Sequence, residues 1–324
     1  MPFTILQDDL TRQKVDAIVN AANTELRQGG GVCGAIFKAA GEADMAAACA
    51  PLAPIETGDA VMTPGFALSA RYVIHAAGPI YRDGRSGEAA LLRQTYGSAL
   101  HLADSHRLES IAFPLISAGI YGYPKAEALA IATGSIRAFL EKHEMDIRLV
   151  IFDRAAFELS RELTGAVESY LEQHFADRTR DDIRLRELQT ISMESAYPAN
   201  VPAQLEREVQ DLNDSFAVRL FQLIDEKGMS DVSVYKRANL DRRLFSKIRS
   251  DKHYSPGKRT AVALTIALEL TLGETDDLLA RAGYALSTSR IDDVIVRYFI
   301  ENKMYDIFSL NEVLFAYGRP LLGT

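Results

Sequence analysis

The asparagines and glycines between residues 20 and 34 have types and a spacing that are typical of a binding site for an anionic ligand. The segment reads NAANTELRQGGGVCG, in which Asn20 and Asn23 precede a G-x-G-x-x-G pattern that starts at Gly29 and opens a helix. Glycine lets the main chain approach an anion closely, and the start of a helix presents unpaired N–H groups and the positive end of its dipole. The pattern fits a phosphate site. It also fits a turn that needs glycine to pack a helix on a sheet.

A redox dinucleotide site fits this segment poorly. In such sites the first glycine directly follows a strand, and an acidic residue stands about 20 residues further on, at the end of the next strand. Here residues 23–28 separate the predicted strand from the glycines, and an alanine-rich helical stretch follows them. We therefore predict no redox cofactor at this loop.

Strand-like and helix-like segments alternate over residues 1–175. Apolar runs predict strands at DAIVNA, DAVMTPG, RYVIHAAG, SIAFPLI and IRLVIF, and helical patterns lie between and after them, ending with AFELSRELTGAVESYLEQHF. This alternation predicts an α/β domain with a largely parallel or mixed sheet. Residues 176–214 have little periodicity and predict a linker. Residues 215–324 predict an all-helical second domain.

The composition limits the function classes. The chain has 324 residues and a net charge of −8, which argues against binding of nucleic acid by the protein as a whole. Lys227–Arg259 carries ten basic and three acidic residues, so this window is +7 and the rest of the chain is −15. Two cysteines without C-x-x-C spacing, no signal peptide and no long apolar run predict a reduced, cytoplasmic protein without a metal site.

The phosphate-loop segment, read as VDAIVNAANTELRQGGGVCGAIFKAAG, resembles the signature of the macrodomain family, which binds ADP-ribose. The similarity continues in the right order through QDDLT, TGDAVMTPGFALSARYVIHAAGPIY, FPLISAGIYGYPKAEAL and LVIFDRAAFELS. It implies a three-layer α/β/α domain with a mixed sheet over residues 1–175. It also implies that the ligand is ADP-ribose or an ADP-ribosyl group.

The resemblance also implies roles for individual residues. Asp9 would accept a hydrogen bond from the adenine amine, Phe152 would stack on adenine, and Asn23 and Tyr121 would position the distal ribose. Asn20 would brace the first loop through backbone contacts. The implied ligand-binding set is Asp9, Leu10, Asn20, Asn23, Gly29, Gly30, Gly31, Val32, Cys33, Ser117, Ala118, Gly119, Ile120, Tyr121, Gly122 and Phe152.

Two positions depart from the hydrolytic branch of this family. That branch commonly has Asp and His where this chain has Cys33 and Phe37, so the usual acid/base pair is missing. Hydrolysis of mono-ADP-ribosyl esters or O-acetyl-ADP-ribose would then rely on a ligand phosphate to activate water, with Asn23 and Tyr121 as positioning residues, or on a reactive Cys33. The alternative is a sensor that binds ADP-ribose without turnover.

The basic helical region resembles the helix-turn-helix of lambda-repressor-like regulators. The similarity runs through VYKRANLDRRLFSKIRSDKHYSPGKRT into ALELTLGETDDLL. It implies that the helix Asp241–Arg249 enters the DNA major groove. The implied DNA-binding residues are Arg242, Arg243, Lys247, Arg249, Lys258 and Arg259. A solvated or protein-binding basic face is the alternative, and the aromatic-rich last helices predict either core or a homodimer contact.

Overall fold

The computed structural model describes residues 3–152, 165–174 and 214–323. Main-chain contacts divide the chain into one unit of Met1–Ser160, Asn239–Arg242 and Asn311–Thr324, and another of Arg161–Ala238 and Arg243–Leu310. Most of the predicted linker 176–214, and the beginning of the helix predicted from AFELS onward, lie outside the described residues; residues 165–174 are helical. The predicted boundaries at 175 and 215 stay predictions.

Six described strands form one mixed sheet in the first unit. They are β1 (Phe3–Gln7), β2 (Ala17–Ala22), β3 (Ala60–Pro64), β4 (Tyr72–Ala77), β5 (Ser110–Phe113) and β6 (Asp146–Ile151). Their order is β1-β6-β5-β2-β4-β3, and every neighbouring pair is parallel except β3 and β4. The mixed sheet is confirmed. The edge strand β1 has no counterpart among the predicted strands.

Four α-helices of the first unit pack on this sheet as two pairs within the described residues. They are α1 (Gly31–Ala40), α2 (Glu42–Cys49), α3 (Glu88–Ser105) and α4 (Lys125–Leu140). The first pair packs on β2 and β3, and α3 of the second pair packs on β3 and β4. Ile18 and Ala22 share one face of β2 because strand side chains alternate, and both join the buried cluster that contains Ile36 and Phe37 of α1.

The sheet order brings four chain segments to one edge. Strands β1, β6, β5 and β2 are neighbours and parallel, so their carboxyl ends lie side by side. Asp9, Phe152, Pro114 and Asn23 each follow one of these ends within two residues. In open α/β sheets, ligands bind in the crevice outside the carboxyl ends of the strands. The fold therefore assembles the predicted site residues from distant parts of the sequence.

The edge strand β1 is partly covered by Asn239, which belongs to the same unit. The Asn239 side chain accepts a hydrogen bond from the Phe3 N–H at 2.7 Å and donates one to the Phe3 carbonyl at 2.8 Å. These two bonds replace those that a further strand would make, and so satisfy backbone groups at an exposed sheet edge.

Residues 214–323 are largely helical, as predicted. The helices are α5 (Phe216–Glu226), α6 (Asp231–Arg237), α7 (Arg242–Ser250), α8 (Lys258–Ala267), α9 (Leu272–Ala280), α10 (Ile291–Glu301) and α11 (Ile307–Ala316). Ser215, Ser230 and Thr271 cap the first turns of α5, α6 and α9, which fixes where these helices begin. No helix in the described part of the chain has the length and apolar character needed to cross a membrane.

Candidate functional site

A cavity of about 750 Å³ lies at the carboxyl ends of β1, β2, β5 and β6. This volume is within the range that small-molecule sites occupy. Its lining contains most of the predicted ligand-binding residues: Asp9, Leu10, Asn23, Gly29, Gly30, Gly31, Val32, Cys33, Ser117, Ala118, Gly119, Ile120, Tyr121 and Phe152. Asn20 and Gly122 of the predicted set do not line it.

The first glycine loop directs main-chain donors at the cavity. Gly30 caps α1 without a side-chain hydrogen bond, and Gly31 has a φ of 60°. The N–H groups of the first helical turn, at Gly31, Val32 and Cys33, have no carbonyl to bond within the helix. A Cβ at Gly34 would lie 2.7 Å from the Gly29 carbonyl oxygen, so this glycine is required for the close packing of the loop on its helix.

The second loop, residues 117–122, is a closed turn with an unusual backbone. Ser117 has a φ of 65°, a left-handed conformation that is uncommon for residues other than glycine. The Tyr123 N–H donates to the Ser117 carbonyl at 3.0 Å, and the Tyr81 N–H donates to the Tyr121 carbonyl at 2.9 Å. The Ser117 hydroxyl is buried and has no hydrogen-bond partner among the described residues. It packs against Gly78, where a Cβ would come within 2.4 Å of this oxygen, so the serine side chain would have to rotate to reach a ligand.

The two loops approach each other across the cavity. A Cβ at Gly30 would lie 3.1 Å from Cδ1 of Ile120, whose side chain is 79% exposed. Any larger residue at position 30 would therefore displace the Ile120 side chain. The two loops therefore border the same part of the cavity. In the second loop the Ala118 and Gly122 N–H groups donate to the Leu115 and Gly119 carbonyls, so only the other N–H groups of this loop can serve a ligand.

Asp9 and Phe152 follow the carboxyl ends of the neighbouring strands β1 and β6. Asp9 caps the short 3₁₀ turn Leu10–Arg12, and its Oδ1 accepts from the Thr11 N–H at 2.9 Å and the Thr11 hydroxyl at 2.7 Å. Hydrogen bonds from Thr11 lower the pKa of the Asp9 carboxyl, and the nearby Arg12 contributes in the same direction. Its Oδ2, 3.7 Å from Arg12 Nε, keeps acceptor capacity. Phe152 is 83% exposed, so it is not a core residue.

Asn23 lines the cavity and also holds the first loop. Its Nδ2 donates to the Arg27 carbonyl at 2.8 Å, and its Oδ1 accepts from the Arg27 N–H at 3.0 Å. A side-chain amide has two N–H donors and two acceptor lone pairs, so one of each remains. Asn23 can therefore position a ligand without breaking the bonds that shape its own loop.

Asn20 has a different role from the one expected. The prediction that it braces the loop through backbone contacts is not met, because its Nδ2 lies 3.0 Å from His75 Nδ1 and 3.6 Å from Cys33 Sγ. Asn20 and His75 are paired in register on β2 and β4, so their side chains lie side by side on one face. Asn20 Oδ1 is buried without a partner among the described residues.

His75 is part of the core beneath the first loop. Burial lowers its pKa to about 4, so the ring is neutral at physiological pH. Since the Asn20 amide donates to Nδ1, the proton is on Nε2, which lies 2.9 Å from the Thr63 hydroxyl and donates to it. The ring also makes an edge contact with Phe37 at 6.3 Å between centroids. His75 and Phe37 therefore do not offer proton transfer to the cavity.

Cys33 is an anchor for the first loop. Its sulfur accepts from the Gly29 N–H at 3.4 Å and donates toward the Arg27 carbonyl at 3.8 Å, the same carbonyl that Asn23 bonds. The thiol is 5% exposed. The other cysteine, Cys49, is buried beside His75, and desolvation raises its pKa to about 11. Both cysteines are unbridged thiols.

The titratable groups of the lining are few. They are Asp8, Asp9, Cys33, Tyr121 and Lys125. Burial raises the pKa of the Tyr121 hydroxyl, which therefore stays protonated and can donate. No cluster of three or more metal-ligating side chains occurs among the described residues. The arrangement suits recognition of an anion and of an amine donor better than acid/base catalysis.

Several lining residues have no place in the predicted set: Asp8, Thr11, Ala21, Ala22, Ala35, Gly78, Pro114, Leu115, Ile116, Lys125, Val150 and Ile151. Most of them are the last residues of parallel strands or follow them directly. The signal that could have found them is the apolar strand pattern itself, because ligands bind where parallel strands end.

The predicted DNA-binding residues separate into two groups. Lys258 Nζ lies 2.6 Å from Oδ2 of the buried Asp293, and Arg249 pairs with Asp231 while its guanidinium lies 4.1 Å from the centre of the Phe221 ring. These two cations serve the packing of the helical region, so they are poor candidates for phosphate contacts. In the other group, Arg242, Arg243 and Lys247 on α7 and Arg259 on α8 are exposed.

Comparison with known proteins places the first unit in a family. The Macro domain family model matches residues 19–132. A macro domain-containing protein of Ralstonia nicotianae is 48% identical over 147 residues, which is 45% of this chain and 83% of that protein. An O-acetyl-ADP-ribose deacetylase of Salmonella gallinarum is 44% identical over 161 residues, 48% of this chain and 89% of the relative.

Among solved structures, an Oceanobacillus iheyensis macrodomain with ADP is 39% identical, with a TM-score of 0.45, and the match covers 47% of this chain and 84% of that one. No comparison bears on the resemblance of residues 215–285 to repressors, which stays a prediction. The identity to relatives whose length is largely covered, together with the mixed sheet and its glycine loops, shows that this chain belongs to the macrodomain family.

Proposed function

We propose that the cavity binds ADP-ribose or an ADP-ribosyl group. The observation that carries this proposal is that one cavity joins a carboxylate and an exposed aromatic ring at one end to two loops of main-chain N–H donors. Adenine, diphosphate and distal ribose need these groups in this order. The functional division into a ligand-binding domain of residues 1–175 and a helical domain of residues 215–324 belongs to the same proposal.

The ionised carboxylate of Asp9 supports the binding of adenine at this end of the cavity. Its lowered pKa keeps the carboxyl ionised at neutral pH, and an ionised carboxylate only accepts hydrogen bonds. It would accept from the exocyclic amine of adenine and repel the keto oxygen of guanine or hypoxanthine. Phe152 would cover one face of the base, in line with its high exposure and its place at the cavity.

The positions of the two loops support the binding of the diphosphate between them. The N–H groups at the start of α1 and those of residues 117–122 that do not bond within the loop would face the ligand, and a diphosphate is an anion that can accept from both loops. Rotation of the Ser117 side chain would add its unpartnered hydroxyl as a further donor there. Asn23 and Tyr121 would hold the distal ribose.

We further propose hydrolysis of O-acetyl-ADP-ribose or of mono-ADP-ribosyl esters, which is supported by relatives named O-acetyl-ADP-ribose deacetylase. A water molecule would attack the ester carbonyl and pass its proton to a ligand phosphate oxygen. The ribose oxygen would take that proton back from the phosphate as its bond to the carbonyl carbon breaks, which for O-acetyl-ADP-ribose gives acetic acid, ionised to acetate at neutral pH, and ADP-ribose. The chain's own contribution would be positioning by Asn23 and Tyr121, because Cys33 is engaged with the loop and Phe37 is in the core.

Calorimetry of the full chain with ADP-ribose, followed by an assay of acetate release on the same sample, tests both parts. Binding with a 1:1 stoichiometry supports the first part, and absence of heat at millimolar ligand would refute it. Loss of turnover in Asn23→Ala, with ADP-ribose still bound, supports hydrolysis. Binding without turnover in the wild type would leave recognition as the function.

A second function is favoured by the exposed cations of α7. We propose that the helical region binds DNA through Arg242, Arg243 and Lys247, and that ADP-ribose occupancy alters this binding. DNA affinity should then fall steeply between low and physiological salt, and Arg243→Ala and Lys247→Ala should weaken it. A response that is flat in salt would favour a protein partner instead.

A further inference from the structure

Lys125 lines the cavity and carries a positive charge that would attract an anionic ligand. Among the described lining residues it is the one basic side chain, against the two carboxylates of Asp8 and Asp9. The described lining therefore has a formal net charge of −1. Main-chain N–H groups give direction to an anion but carry no net charge. A diphosphate entering this cavity would meet repulsion from the two carboxylates; Arg12, outside the lining, lies 3.7 Å from Asp9, and Lys125 is the cation of the described lining that offsets them.

The position of Lys125 in its helix is unfavourable by itself. It is the first residue of α4, and Pro124 precedes it as an N-cap without a side-chain hydrogen bond. The amino-terminal end of a helix is positive, so a cation there is disfavoured. The side chain is half-buried and makes no ion pair with any described residue. A residue that breaks a local rule without compensation among the described residues is a candidate for a role in binding.

The loop before α4 places Lys125 at the cavity. Residues 117–122 form the second N–H loop, and the Tyr123 N–H closes it by donating to the Ser117 carbonyl at 3.0 Å. Lys125 follows two residues later and lines the same cavity. Its flexible four-carbon stem carries a compact ammonium with three donors.

We propose that Lys125 binds the phosphate groups of the nucleotide and sets the affinity of the cavity for anionic ligands. This rests on the proposed ADP-ribose binding. The role predicts discrimination by charge: ADP-ribose and AMP should depend on Lys125, whereas adenosine, which has the same base and proximal ribose but no phosphate, should not.

The test is calorimetry of the full chain with ADP-ribose, AMP and adenosine at low and physiological salt. Lys125→Met should weaken ADP-ribose about 5-fold and reduce the salt dependence of its affinity, because a partly exposed ion pair contributes of that order and is screened by salt. Lys125→Arg should restore most of the affinity. Lys142→Met, an exposed lysine just beyond the same helix, is the matched control and should bind like the wild type.

Two outcomes would overturn the role of Lys125 while leaving the proposed function in place. One is an unchanged ADP-ribose affinity in Lys125→Met. The other is an equal loss for adenosine and ADP-ribose, which would indicate packing rather than charge. If the wild type itself fails to bind ADP-ribose, the proposed function falls, and the role of Lys125 falls with it.

Discussion

Removal of the Phe152 ring should weaken the binding of ADP-ribose and leave the stability of the fold almost unchanged. The ring is 83% exposed, so Phe152→Ala leaves almost no cavity in the core and should change the free energy of unfolding by less than about 0.5 kcal/mol. Stacking of a base on an aromatic ring contributes about 1–3 kcal/mol. At about 1.4 kcal/mol for each tenfold change, the Kd for ADP-ribose should rise about 5- to 150-fold.

The assay is a calorimetric titration of wild type and Phe152→Ala with ADP-ribose, together with thermal unfolding of both without ligand. Phe66→Ala is a control, because Phe66 is also an exposed aromatic residue, at 43%, and does not line the cavity. Ribose 5-phosphate, which has no base, should bind equally to both forms. An unchanged Kd for ADP-ribose in Phe152→Ala would refute adenine stacking at this position.

Three further predictions concern titratable groups. Burial lowers the pKa of His75 from 6.5 to about 4, so its contribution to the free energy of unfolding should be fully present above about pH 6.5. The free energy of unfolding should fall by about 3 kcal/mol as the pH drops through 4. Urea unfolding followed at the Ile18 methyl groups should show this loss, and His75→Gln should make the pH dependence flatter. The Glu88 carboxylate accepts from three backbone N–H groups of the loop that contacts Tyr121, so Glu88→Gln should raise the Kd for ADP-ribose in calorimetry. Asp9→Asn should keep its capping oxygen but present an amide N–H to the base, so competition titrations should show a preference shifted from ADP toward IDP, whose keto oxygen accepts.

The sequence alone determined much of the local structure and predicted the kind of ligand. Alternating apolar runs and helical stretches predicted five of the six described strands, because periodicity is a local property, and they predicted a largely parallel or mixed sheet. The glycines of the first loop predicted close main-chain approach, which the left-handed backbone at Gly31 and the contact at Gly34 explain. The family resemblance added the two loops and their order.

Tertiary structure decided what each side chain faces. Phe152 alone would be read as a core residue, yet it is exposed at the end of β6. Asn20 was expected to bond its own loop, but the register of β2 with β4 puts it beside His75. The strand β1 depends on pairing with β6, about 140 residues away, which no local pattern contains.

The cavity shows most clearly which features the sequence predicts and which depend on the tertiary structure. The order β1-β6-β5-β2 brings four strand ends together that are far apart along the chain, and with them Asp9, Asn23, Lys125 and Phe152. Sequence patterns specify where a strand ends, because propensity and turn residues act over a few positions. Which strand ends become neighbours is set by long-range pairing and burial, and so only the folded chain decides which charges share one site.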